Sequence, residues 1–249
     1  MEIQEFKSLG EFSAWLESHE PAGAFVGYDC SSERTGHGDW YGTESWGDAQ
    51  RLLLEGDSDS FKQLEAARVP APRGGGKTAV IKSGPVGFAP NVPAYLAGRP
   101  DSMLRTVNQA GAVPVIEVLY NVGACCGVEP EQISKTANVV FNAIKKIEES
   151  GRSVRLYVTW GTKEGGESYG FRVLAKDANE RISCYKLAYC VINPSFLRRH
   201  CFRWLERRGV RNRGFVSGYG SPEKTDPNEL NYYSCTGLTV DEVVKKILG

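Results

Sequence analysis

Histidine is scarce in this 249-residue chain: only His19, His37 and His200 occur. That argues against a histidine-built metal centre, and no metal or other cofactor is expected. Paired cysteines are lacking as well. The seven present, Cys30, Cys125, Cys126, Cys184, Cys190, Cys201 and Cys235, are odd in number, and no two stand as CxxC. Such usage fits a reducing compartment and excludes a zinc ribbon or a disulfide scaffold. No apolar run approaches about 18 residues, so neither a membrane span nor a membrane partner is expected. The opening MEIQEFKSLGEF lacks the basic-then-apolar order of an export signal, which makes a cytoplasmic protein the expectation. Neither sign of charge is in excess: Lys plus Arg and Asp plus Glu number 30 each. Net charge therefore points to no polyanionic or acidic partner, and any electrostatic signal must be local.

What is present is ordinary globular composition, 41% hydrophobic and 24% charged. The length suits one large α/β domain, or one domain with a substantial extension. Ser8 and Glu11 make a capping-box pattern ahead of a helix with Leu9, Phe12 and Leu16 on one face. GAFVGY (23–28) reads as a short strand, followed by a polar, Gly-rich loop over 29–42. Further helices are expected over 44–55 and 60–67. Residues 70–100 hold many prolines and glycines and leave room only for short elements, a strand at TAVIK and a helical turn near PAYLAG.

The centre carries the clearest pattern. VPVIEVLY (113–120) reads as a strand apolar on both faces apart from Glu117, as in the interior of a parallel sheet. Pro130 and Glu131 open a helix with Ile133, Ala137, Val140, Ile144 and Ile147 on one face. SVRLYVTW (153–160) is the next strand, so the unit is strand–helix–strand with a right-handed crossover. A strand at 171–177, helices at 184–192 and 194–208, a strand at NYYSC (231–235) and a capped helix from Thr239 complete the chain. Within its strand Glu117 calls for a partner, and Arg155 on the next strand could supply it.

RGGGKT (73–78) ends like a phosphate-binding loop. Such a loop needs a strand before it and a long helix after it. Here Ala71 takes the place of the first glycine, FKQLEAARVP before it reads as helix, and TAVIKSGP after it is β-branched and short. The segment reads as a surface loop.

Ligand sites in open α/β sheets lie beyond the carboxyl ends of the strands. That place is Asn121–Cys126. The arrangement resembles the von Willebrand factor A family over roughly 112–249, on element order. In that family an Asp-x-Ser-x-Ser loop binds a divalent metal through oxygen ligands. This sequence has Asn121, Gly123 and Cys125 at those positions, so the resemblance implies a fold whose metal site is lost. Cys125 and Cys126 precede a helix, where a thiol pKa can fall. A tyrosine-phosphatase-like loop would need an arginine six residues on, and Glu131 and Gln132 stand there instead. No catalytic set is complete.

PSFLRRHCFRWLERRGVRNR (194–213) is the strongest local charge signal. Leu197, Cys201 and Trp204 mark an inward face. Arg199, Arg203 and Arg207 recur at i, i+4, i+8 beside it. With Arg198, Arg211 and Arg213 they are candidate phosphate contacts, and Phe202 and Phe215 could stack on bases. The competing reading is a solvated or protein-facing helix whose stems cover apolar surface. WYGTESWGDAQRLLLEGD (40–57), PNVPAYLAGRPDSM (90–103) and INPSFLRRHCFRWLER (192–207) together resemble an uncharacterised domain family of bacteriophages and prophages. That resemblance implies an origin and no mechanism.

The expected fold is α/β: a mostly parallel central sheet flanked by helices. Its C-terminal core, 112–249, is von Willebrand A-like (Rossmann-like), with a helical, loop-rich N-terminal extension over 1–111 packed on it as one unit. The function reading is a non-enzymatic interaction protein of phage or mobile-element origin with a protein partner. The alternative is a nucleic-acid-binding protein using the 194–213 arginines. An enzyme built on Cys125/Cys126 or on the Asp29–Asp39 loop stays open as a third class.

Overall fold

A computed structural model describes residues 1–29, 31, 38–66, 79–108, 115–125, 127–178, 180 and 184–249. Its strands are β1 (Glu2–Phe6), β2 (Ala79–Gly84), β3 (Ala89–Pro90), β4 (Met103–Asn108), β5 (Val115–Asn121), β6 (Ser153–Glu164), β7 (Glu167–Lys176), β8 (Ser221–Pro222) and β9 (Leu230–Asn231). The main sheet runs β1-β7-β6-β5-β9, with β8 also on β6. The pairs β1/β7, β5/β6 and β5/β9 are parallel, and β6 runs antiparallel to β7 and β8. The architecture is mixed α/β around a mostly parallel sheet.

The central strand–helix–strand unit forms as its pattern dictates. Helix Pro130–Glu149 buries Ile133, Ala137, Val140, Ile144 and Ile147, the positions of the 3.6-residue stripe. Beyond β6 the expected loop is a tight hairpin instead. Gly165 and Gly166 take φ of 55° and 88°, the left-handed pair of a two-residue turn that only glycines adopt cheaply. β6 and β7 therefore run on past the ends read from the sequence.

The N-terminal region is not only a helical extension. β1 lies in the main sheet, in register from Glu2↔Tyr169 to Phe6↔Val173. EIQEF buries Phe6 alone, as an edge strand does, so its pattern carries almost no alternation signal. Helix Leu9–Ser18 follows, N-capped by the Ser8 side chain, and lays Phe12 on Phe171 of β7 with ring centroids 4.8 Å apart. Both sides of the 111/112 division thus build one sheet and one core.

Three local readings are corrected. GAFVGY begins as a 3-10 turn, Gly23–Phe25, not a strand. Gly23 sits at φ 62°, and a Cβ there would come within 2.2 Å of the Val210 carbonyl oxygen. NYYSC is mostly a helical turn, because the Asn231 side chain caps Ser234 N–H in a reciprocal box. Glu117 is exposed rather than enclosed, and Arg155 pairs with Asp177 at 3.0 Å.

A second, antiparallel sheet, β2-β4-β3, carries the Pro/Gly-rich stretch. RGGGKT itself lies outside the described residues. A helix, Ser58–Ala66, precedes it and strand β2 follows, the reverse of a phosphate-binding loop's order.

Candidate functional site at the carboxyl ends of the central strands

At the carboxyl ends of β5 and β6 the polar groups are tied to one another. Glu229 is buried, and its carboxylate takes four donors. Asn121 Nδ2 and Thr225 N–H donate to Oε2 at 2.8 and 2.9 Å, and the Thr159 and Thr225 hydroxyls donate to Oε1. Asn121 Nδ2 also reaches the Glu223 carbonyl at 2.9 Å, while its Oδ1 accepts from Gly123 N–H at 2.7 Å. The knot pins the 223–229 loop across the strand ends. A carboxylate with every lone pair engaged stabilises the fold and has little left for a ligand. Cys125 is exposed beside the knot, its N–H donating to Tyr233 OH at 2.8 Å, and Cys126 lies outside the described residues. Among the described residues no group of three or more His, Cys, Asp or Glu side chains is arranged to hold a metal.

The arginine helix turns the other way from its surface reading. Arg198, Arg199, Arg203 and Arg207 are 2%, 0%, 7% and 5% exposed, and only Arg211 and Arg213 of the six candidates lie open. Two causes combine. Residues Phe196–Cys201 form a π-helical stretch before the α-helix Phe202–Arg207, so a stripe drawn at 3.6 residues per turn does not hold. The chain from Asp29 to Thr43 then folds over the arginines. Arg207 forks onto both Asp29 oxygens at 3.2 and 3.0 Å. Arg199 donates to Thr43 Oγ1, Ser31 O and Thr43 O at 2.9, 3.0 and 3.0 Å. Arg198, Arg199 and Arg203 lie over Trp40, Tyr41 and Trp46 at 4.4, 4.4 and 4.1 Å from the ring centroids. The guanidinium groups fasten a polar loop that has little apolar surface of its own. Phe202 stacks on Tyr219 at 3.9 Å and Phe215 is buried, so neither offers a free face to a base.

The two sequence candidates meet here. Cys125 from the strand-end loop and Arg198 from the arginine helix line one cleft of about 130 Å³ with Trp40, Trp160, Phe202 and Tyr219. Its walls are mostly aromatic, and Arg198 is held by the Trp40 and Val128 carbonyls. The sequence search missed Trp40, Trp160, Tyr219 and Glu229. Trp40–Tyr41 closing a Gly-rich loop was the available signal. Tyr219, the described non-glycine residue with positive φ (56°), had none.

The family model for a domain of unknown function, DUF7192, matches residues 2–247. The chain belongs to that family. Searches of curated proteins and of solved structures gave no match. No helix among the described residues of this DUF7192 chain is long and apolar enough to cross a membrane.

Two buried titratable groups beside the DUF7192 cleft oppose each other in pH. Burial raises Glu206 from 4.5 to about 7, against the pull of bonds from Ser31 and Tyr219 OH. Burial lowers His200 from 6.5 to about 3. The folded state holds the Glu206 proton more tightly than the unfolded chain does. Its contribution is therefore full below about 4.5 and is lost as pH rises through about 7. His200 has the reverse sign, contributing above 6.5 and losing that as pH falls towards 3. Between 4.5 and 6.5 the two slopes offset. In urea-midpoint measurements across pH, Glu206→Gln should steepen the loss of stability on acidification by removing the opposing term. An unchanged profile would mean that Glu206 titrates normally in the fold.

Proposed function

We propose that this chain is a non-enzymatic interaction protein of phage or mobile-element origin. In this reading it works in the cytoplasm and receives one side chain of a protein partner in the aromatic cleft. The observation that carries the reading is the cleft's size and lining. About 130 Å³ is below the roughly 300 Å³ at which sites for drug-sized molecules begin, yet it suits a single apolar or aromatic side chain. Trp, Tyr and Arg are the residue types that dominate binding hot spots. The saturated Asn121–Glu229 knot supports a binding role over a catalytic one. The order β5–helix–β6–β7, with β9 beside β5, supports the von Willebrand A-like reading of the C-terminal part. The phage origin rests on the sequence resemblance alone. The nucleic-acid alternative loses its main support, because the arginines it needs bond to the protein's own loop.

Gly218 offers a test. It lines the cleft, and a Cβ there meets nothing within 4 Å, so Gly218→Trp should obstruct the cleft without strain. Affinity capture after nuclease treatment should recover a partner with the wild type and lose it about tenfold with the variant at equal melting temperature. Partner binding should also shift tryptophan fluorescence, since Trp40 and Trp160 line the cleft. Capture that nuclease abolishes, or that Gly218→Trp leaves unchanged, would sink this reading.

A further inference from the structure

β5 sits inside the sheet order but is half an edge strand. On one side it pairs with β6 over its whole length, Val115↔Ser153 to Asn121↔Thr159. On the other, β9 reaches only Tyr120 and Asn121. Among the described residues, no strand lies beside Val115–Leu119 on that side, and no loop backbone bonds to them. The burial pattern agrees. Tyr120 and Asn121 are buried, whereas Val115 is 51% exposed and Glu117 is open. In a parallel ladder the bonds are evenly spaced along the strand, so a strand with one neighbour leaves a regular row of N–H and C=O groups facing out.

That open edge is the wall of a slot. A cavity of about 340 Å³ is bounded by Glu117, Val118 and Leu119, by Leu230 beyond them, and by Lys246 and Leu248 of the last helix, Val240–Leu248. A strand edge facing a helix across a gap of this size fits a particular ligand form. The row of main-chain groups matches another extended main chain, and five residues of edge span about 17 Å.

The charge on the edge narrows the occupant. Arg155, the register partner of Glu117, is held by Asp177, and no ion pair reaches Glu117 among the described residues. A second copy of β5, paired antiparallel about its middle, would set Glu117 near its own twin, which like-charge repulsion disfavours. A strand with a basic side chain opposite Glu117 gains instead.

We propose that the outer edge of β5 at Val115–Leu119, with the slot beside the last helix, is a strand-addition site. It takes an extended segment of a partner protein with a lysine or arginine opposite Glu117. The inference rests on the reading of this chain as a protein-binding protein, but uses a surface separate from the aromatic cleft.

The probe is a labelled seven-residue peptide of alternating threonine and valine with a central lysine. Its twin carries a central glutamate. Fluorescence anisotropy should show the lysine peptide binding about tenfold more tightly than the glutamate peptide, and Glu117→Lys should reverse that preference. Residue-resolved hydrogen exchange should show new protection at alternate amides between Val115 and Leu119 when the lysine peptide is bound. Two results would overturn the proposal: no added protection there, or equal affinity for the two peptides. So would full protection in the free protein. If that protection rises with protein concentration, a second copy covers the edge; if it does not, the chain's own residues do. Gly218→Trp should bind the peptide as the wild type does, so failure at the cleft and failure at the edge read out separately.

Discussion

Arg199→Met should destabilise the protein by about 3–5 kcal/mol in urea unfolding, the range for stripping one partner from a buried charged network. The Arg199 side chain is fully buried and spends its donors on the Ser31 carbonyl and on the carbonyl and hydroxyl of Thr43, while lying over Tyr41. Methionine fills much of the volume and supplies no donor, so those oxygens lose their bonds, each unsatisfied group costing about 1–3 kcal/mol. Arg199→Lys should recover only a minor part, because an ammonium cannot hold a planar fork between two chain segments. Arg211→Ala, at an exposed position, should stay within about 0.5 kcal/mol of wild type. Equal, small effects at the two sites would show that the arginine stripe faces solvent and would return the polyanion-binding reading to the front.

Trp204→Ala should cost about 3–5 kcal/mol, a large share of the roughly 5–15 kcal/mol typical of a domain. Trp204 has no exposed surface. Its ring packs against Trp160 of β6 and Phe171 of β7, at centroid distances of 6.0 and 5.1 Å. Its Nε1–H donates to Gln4 Oε1 of β1 at 3.0 Å. One side chain thus joins the arginine helix to three strands, including the first of the chain. Trp204→Phe keeps most of the packing and loses the hydrogen bond, so it should fall between wild type and alanine. Hydrogen exchange should then show β1 amides losing protection in Trp204→Ala before those of β5. Intact β1 protection with an unchanged urea midpoint would mean that the indole is not the link between β1 and the core.

What was legible in the sequence was local. The stripe from Ile133 to Ile147, the caps at Ser8 and Thr239 and the apolar run before Asn121 each signal through neighbours a few residues apart, and the structure keeps them. The Asn121–Cys126 loop was marked as a candidate by its place after that run, and the cleft lies there. β1 was missed because an edge strand with one buried side chain has no period to read. The helical turn at Tyr232–Cys235 was missed because Tyr-Tyr in sequence favours a strand, while the Asn231 cap decides otherwise.

The arginines mark the boundary between the two kinds of information. By itself the sequence determined that an amphipathic helix dense in arginine follows Pro194, and that a polar, glycine-rich loop closed by Trp40–Tyr41 lies far upstream. Only the tertiary structure decided that the second covers the first. A guanidinium has the same charge in either place. Whether it meets water or an aspartate, a carbonyl and an indole depends on contacts spanning more than 150 residues, as between Arg198 and Trp40. The half-open edge of β5 is the same kind of fact. Its apolar run specifies a strand, but the length of its neighbour β9 is set where the chain turns into a helix at Asn231, over 100 residues later. No periodicity in either segment carries that distance.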